Sequence, residues 1–122
     1  MNQDSYKDMR LYARFELGET ALLKSESNDG GFDIEIVDIG LGGVQLRSDK
    51  KLPVEVPTTI HIQRDPKTLL VLHGHVRYSN LCDGEKVYVS GYKFSPENMQ
   101  ERVIIAEFVR EVFENQWQEL AS

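Results

Sequence analysis

The chain has one cysteine, Cys82, in 122 residues, so it cannot close a disulfide within itself, and an unreactive thiol in a reducing compartment is the expectation. It has no run of about 18 apolar residues, and its start, MNQDSYKDMR, is polar. Neither membrane insertion nor export is expected, and the protein is read as cytoplasmic. It also lacks an excess of positive charge. With 14 Lys and Arg against 20 Asp and Glu, the net charge is -6, and polynucleotide binding, which rests on many cationic contacts to phosphate, is excluded as a general activity. A small anion is a different case, because two or three well-placed arginines can make a local positive pocket on an acidic protein.

What is present is an ordinary globular composition, 40% hydrophobic and 28% charged. A chain of this length can bury roughly 65% of its unfolded surface around one core. Residues 1–9 read as a leader and residues 10–122 as one domain. From about Phe15 onward the sequence runs as short strands separated by turn signals. Gly18 to Lys24 is a first strand region, and Asn28, Asp29, Gly30 and Gly31 supply a hairpin reversal. Phe32, Ile34 and Ile36 alternate with Asp33, Glu35 and Val37, and Val44 and Leu46 alternate with Gln45 and Arg47, each the pattern of a half-buried strand. Thr58 to Gln63, Leu70 to Tyr78 and Val87 to Phe94 complete about six strands. The period then changes. Ser95, Pro96 and Glu97 carry a helix start, and Ile105, Phe108, Val109, Val112 and Gln116 mark one helical face, widened by Ile104, Phe113 and Trp117. Part of that stripe is a candidate dimer interface, so the chain is expected to be a monomer or a homodimer.

Two short motifs can carry chemistry. Asp38, Ile39, Gly40, Leu41, Gly42 and Gly43 place an acid before a bare-backbone bend between strands. A dinucleotide fingerprint would need glycine where Gln45 stands and a helix where a strand begins, and no Gly-Lys-Ser/Thr follows, so neither a Rossmann nor a Walker reading holds. An aspartate can accept two hydrogen bonds from a guanine edge while exposed amides donate to its acceptors; the same residues are also common turn chemistry. Arg10 and Arg14, four apart, can clamp phosphates and stack on bases.

Arg10 and Arg14 resemble the RxxxR of PilZ domains, and Asp38 to Gly43 resembles their (D/N)xSxxG. Further similarity lies in Gly43-Val44-Gln45-Leu46, in Gly74-His75-Val76-Arg77, in Gly91-Tyr92-Lys93-Phe94 and in the closing helix, so the resemblance spans about Lys7 to Trp117. It implies a mainly β fold, a six-stranded antiparallel barrel with a C-terminal helix. It also implies a receptor for the second messenger cyclic di-GMP that changes conformation on binding and signals to an effector protein. By position, Arg10 and Arg14 would grip phosphate and guanine, Asp38 would meet the guanine edge, and Gly40 and Gly43 would form the bend. The family's serine is Gly40 here, which removes a hydroxyl and leaves open a second reading, a protein-binding adapter that has lost the nucleotide.

No cofactor, metal or catalytic activity is expected. His73 and His75 face one side of a strand, but no acid or cysteine stands at ligand spacing nearby and His61 is distant in sequence. No nucleophile and base can be paired from the sequence.

Overall fold

The computed structural model describes residues 15–121 apart from 27, 41 and 83. Six antiparallel strands, β1 (Phe15–Ser25), β2 (Asn28–Ile39), β3 (Gly43–Ser48), β4 (Thr58–Asp65), β5 (Thr68–Leu81) and β6 (Tyr88–Phe94), close a barrel in the order β1-β2-β3-β6-β5-β4. One helix, α1 (Met99–Ala121), follows. Alternation leads to the expectation of about six strands and a closing helix, and the six-stranded antiparallel barrel is the architecture that the resemblance to PilZ domains implies.

Alternation decides the inside. Ile34 and Ile36 of β2, Val44 and Leu46 of β3, Ile60 and Ile62 of β4, Leu72 and Val76 of β5 and Tyr92 of β6 are all buried. Each such aliphatic side chain removed from water contributes about 1.5–3 kcal/mol, which makes a one-residue slip of any strand costly. Closure is partial where β1 meets β4: Leu22–Ser25 pair with Thr58–His61, and the earlier part of β1 pairs with β2 alone. α1 closes the core from outside, burying Ile105, Phe108, Val109 and Val112. At 23 residues it is about 35 Å long.

Three local expectations are corrected. The first reversal falls between Ser25 and Asn28, which pair with each other, so Asn28 to Gly31 lie within β2; Gly31, at φ 74°, sits beside the register shift opposite Leu23. The helix begins at Met99 and is capped by Asn98, whose Oδ1 accepts from the Glu101 amide at 2.8 Å, so the Ser-Pro-Glu signal lies just ahead of it. Glu101 in the third helical position returns a carboxylate to the Glu97 amide at 3.4 Å, a variant of the capping box. Phe113 is 41% exposed and does not join the buried stripe; the side chains of Gln116 and Trp117, and residues 1–9, lie outside the described ones.

Candidate functional site

The bend between β2 and β3 is held by its own backbone: the Gly40 amide donates to the Gly43 carbonyl at 2.9 Å, and the Phe94 amide donates to the Gly42 carbonyl at 3.3 Å. Its glycines serve different ends. A Cβ on Gly43 would stand 2.0 Å from the Tyr92 carbonyl oxygen across the β3–β6 ladder, whereas one on Gly42 would meet nothing within 4 Å. Gly43 is therefore demanded by strand packing, and Gly42 leaves open space in front of it.

That space is a concavity of about 720 Å3 lined by Gly40, Gly42 and Gly43, by Arg77 and Tyr78 of β5, and by Gly91 and Lys93 of β6. Arg77 and Tyr78 reach it because β5 is bulged. The register slips between Val76 and Tyr78, so two consecutive residues are exposed and Ser79 returns to the interior. Tyr78 pairs with Gly91, and its ring lies where a Gly91 Cβ would be, 2.3 Å from that position. The ring thus rests against bare backbone while the residue stays 43% exposed, which leaves aromatic surface open to a stacking partner. Behind it the buried Tyr92 hydroxyl donates to the Thr58 carbonyl at 3.1 Å, and burial pushes its pKa up, so it stays neutral.

Among the described residues no acid lines the concavity. Among the described residues neither Arg77 nor Lys93 makes an ion pair with a carboxylate, whereas Arg47, Arg64 and Arg110 each do. On a chain of net charge -6, an acid-free hollow with two uncompensated cations favours an anion. A larger hollow of about 970 Å3, on the β1, β2 and β4 side, is lined by Lys24, Arg47 and His61 but also by Asp33, Glu35 and Asp49, and carries no such bias.

Of the residues singled out from sequence, Gly40 and Gly43 line one cavity. Asp38 is half-buried at the end of β2, beside the register shift at Val37 and opposite Gln45; it stands two residues before the rim and is not itself in the lining. Arg10 and Arg14 lie outside the described residues. Arg77, Tyr78 and Lys93 went unnoticed as site residues although Arg77 closes the segment Gly74-His75-Val76-Arg77 and Lys93 stands third in Gly91-Tyr92-Lys93-Phe94, both singled out for their similarity. Strict alternation turns Tyr78 inward, and the bulge that reverses it has no glycine to announce it.

The expectation that no acid stands near the strand histidines is corrected by α1. His73 donates from Nδ1 to Glu101 Oε1 at 2.8 Å, its amide donates to Oε2 at 2.8 Å, and its Nε2 lies 3.5 Å from Glu97. Burial pushes the Glu101 carboxyl up, but the hydrogen bonds from the His73 amide and ring and from the Glu97 amide, with the imidazole charge, hold it net below the usual carboxylate range. These three residues offer ligand atoms within 4.8 Å of one another, the composition of a cation site. Both Glu101 oxygens are already engaged, however, and the positive end of the helix dipole opposes a cation, so the group acts as a latch between β5 and α1. His75 faces Glu55 instead, at 3.9 Å. No helix among the described residues is long and apolar enough to cross a membrane.

A family model for the PilZ domain matches residues 8–111. Among solved structures, the chain is similar to the PilZ domain with c-di-GMP of YcgR from Escherichia coli, at 10% identity and TM-score 0.64 over 93% of this chain and 98% of that one. It is similar to the MrkH-c-di-GMP complex of K. pneumonia at 15% identity and TM-score 0.68, covering 90% of this chain and 54% of that one. It is also similar to the Bacillus subtilis inhibitor of motility MotI/DgrA at 11% identity and TM-score 0.63, covering 88% and 52%. The chain therefore spans about half the length of the last two, and at these identities the likeness is one of fold. No curated protein matches it.

Proposed function

Because this chain belongs to the PilZ domain family, whose members are ligand-binding receptor or adapter domains, we propose that it is a non-enzymatic receptor for cyclic di-GMP that signals to a partner protein. The observation that carries this reading is the concavity in front of Gly42, free of acids among the described residues, with Arg77 and Lys93 outside any ion pair there and the Tyr78 ring resting against Gly91. A cyclic dinucleotide presents two negative phosphodiesters and two flat bases. The cations suit the first and the tyrosine face suits a base, while open backbone at the bend lets a purine approach the strand ends. Arg10 and Arg14 add two guanidinium groups by their motif positions, and Asp38 offers the acceptor for a guanine edge. Ordering of the arginine segment over the ligand would change the surface offered to an effector that controls motility, biofilm or exopolysaccharide. The cytoplasm, where the ligand is made, is the compartment this reading assigns.

Gly40 favours a second reading. The family's serine hydroxyl is missing, a loss of about 1 kcal/mol or a several-fold drop in affinity, and a protein-only adapter would tolerate it fully. Isothermal titration of the whole chain with cyclic di-GMP separates the two. Saturable heat in the micromolar range, abolished by Arg14→Ala without loss of fold, supports the receptor; no heat at high micromolar ligand leaves the adapter.

A further inference from the structure

A second, smaller hollow of about 300 Å3 opens where the start of α1 faces β6, lined by Gly42, Lys93, Pro96, Arg102 and Ile105 among others. It shares Gly42 and Lys93 with the larger concavity, so the two adjoin at the lysine. Among the described residues no acid lines either one.

Arg102 is the feature of this hollow that packing does not explain. It is exposed, and among the described residues it makes no ion pair with a carboxylate. Its own helix offers none, since the residues three and four away on either side are Met99, Ile105, Asn98 and Ala106. It also sits in the first turn of α1, where the aligned peptide dipoles disfavour a cation by about 0.3–1 kcal/mol. By contrast Arg110, two turns later, reaches Glu114 at 3.9 Å, and Arg64 reaches Glu111 at 2.9 Å. An arginine held unpaired at the unfavourable end of a helix, beside a second unpaired cation, is relieved by an anion placed between them.

We propose that Arg102 is a phosphate ligand carried by the helix, so that a cyclic dinucleotide seated at the glycine bend has one phosphodiester between Lys93 and Arg102 and ties α1 to β6. This rests on the receptor reading above and extends it from the barrel to the helix. The helix then senses occupancy directly: its first turn, latched to β5 through Glu101 and His73, gains a second tie, to β6 through the next residue, only when ligand is present.

Titration calorimetry of the full chain with cyclic di-GMP, at several salt concentrations, tests this together with hydrogen exchange of residues 99–106. The expected result for Arg102→Gln is an affinity about three- to ten-fold weaker with a shallower salt dependence, and loss of the ligand-induced protection of the first helical turns seen in the wild type. Arg102→Lys should recover part of the affinity, and Arg110→Gln, two turns further along the helix and outside the lining of both hollows, should behave as wild type. Wild-type affinity, salt slope and protection in Arg102→Gln would overturn the helix contact while leaving the receptor intact. If the wild-type chain itself takes up no cyclic di-GMP, the receptor reading fails first and the helix contact with it.

Discussion

The two flanks of α1's first turn treat charge in opposite ways. On the flank that faces His73 of β5 the charges are paired: Glu101 accepts from the His73 ring and amide, Glu97 stands at 3.5 Å from the same imidazole, and further along the helix Arg64 of β4 holds Glu111 while its guanidinium lies 4.9 Å over the Phe108 ring. On the other flank Lys93 of β6 and Arg102 of the helix, like Arg77 of β5 across the larger concavity, have no carboxylate partner among the described residues. The first arrangement holds the molecule together, since a hydrogen-bonded carboxylate that is nearly buried is costly to orphan. The second contributes no such hold, and it gathers its cations around hollows whose lining carries no acid among the described residues, where an anion would relieve them. Packing neighbours of the same helix can thus be sorted into structural and functional by whether their charges are satisfied.

The floor of the cavity belongs to the structural group although its rim does not, and this boundary is the place to break the comparison first. Gly43→Ala puts a Cβ against the backbone carbonyl of Tyr92, which cannot move without parting β3 from β6. A destabilisation of about 3 kcal/mol is expected, a fall in Tm on the order of 10 °C, measured by thermal melting without ligand. Gly42→Ala, facing open space, should melt within about 0.5 kcal/mol of the wild type. Equal melting of the two variants would remove the distinction between floor and rim.

Next in size is the latch. Glu101→Gln keeps the shape but presents an amide to donors that want a carboxylate, and should cost about 2 kcal/mol in urea denaturation at pH 7. The pH dependence has a definite sign. The folded Glu101 carboxyl titrates below its unfolded value, so its contribution is fully present above about pH 4.3 and is lost as pH falls through the lower folded value. The stability gap between wild type and Glu101→Gln should therefore narrow in that acid window; a gap constant from pH 7 down to pH 3 would mean that ionised Glu101 is not what holds the helix.

The third effect is on binding and not on folding. Arg77→Gln or Lys93→Gln should leave the melting temperature within about a degree of the wild type, because neither cation has a partner to lose, yet each should weaken cyclic di-GMP by about five- to ten-fold. Calorimetry beside thermal melting checks both halves of the statement. Gly91→Ala gives an independent reading of the tyrosine: its Cβ would displace the Tyr78 ring and should weaken binding with the cations untouched.

The barrel was legible because period-two alternation in Ile34 and Ile36, Val44 and Leu46, and Ile60 and Ile62 survives into the structure as burial. The glycine bend was legible from its composition, and the resemblance to the PilZ family rested on it together with the paired arginines. What alternation could not carry was any place where the ladder slips. The bulge at Arg77 turns two successive side chains out, and nothing in Val76-Arg77-Tyr78-Ser79 marks it, since no glycine or proline stands there and a register shift is a property of the paired strands. The latch was hidden for another reason: His73 and Glu101 are 28 residues apart and meet only through tertiary packing. Asn98 was a readable cap overlooked because Ser95 and Pro96 supplied an earlier signal of the same kind.

The smallest effect sharpens what counts as a satisfied charge. Arg47 and Glu85 stand 3.8 Å apart with side chains 44% and 53% exposed, so they form an ion pair by distance alone. In water such a pair is screened and gives back in side-chain entropy most of what it gains, which puts its contribution at about 0–0.5 kcal/mol. Arg47→Gln and Glu85→Gln, singly and together, should give a double-mutant coupling within about 0.5 kcal/mol and no change in ligand affinity. A coupling above about 1 kcal/mol would mean that exposed pairing on this barrel is itself stabilising. The unpaired state of Arg77, Lys93 and Arg102 would then be a larger sacrifice than the present comparison assumes, and the case for an anion among them would be stronger.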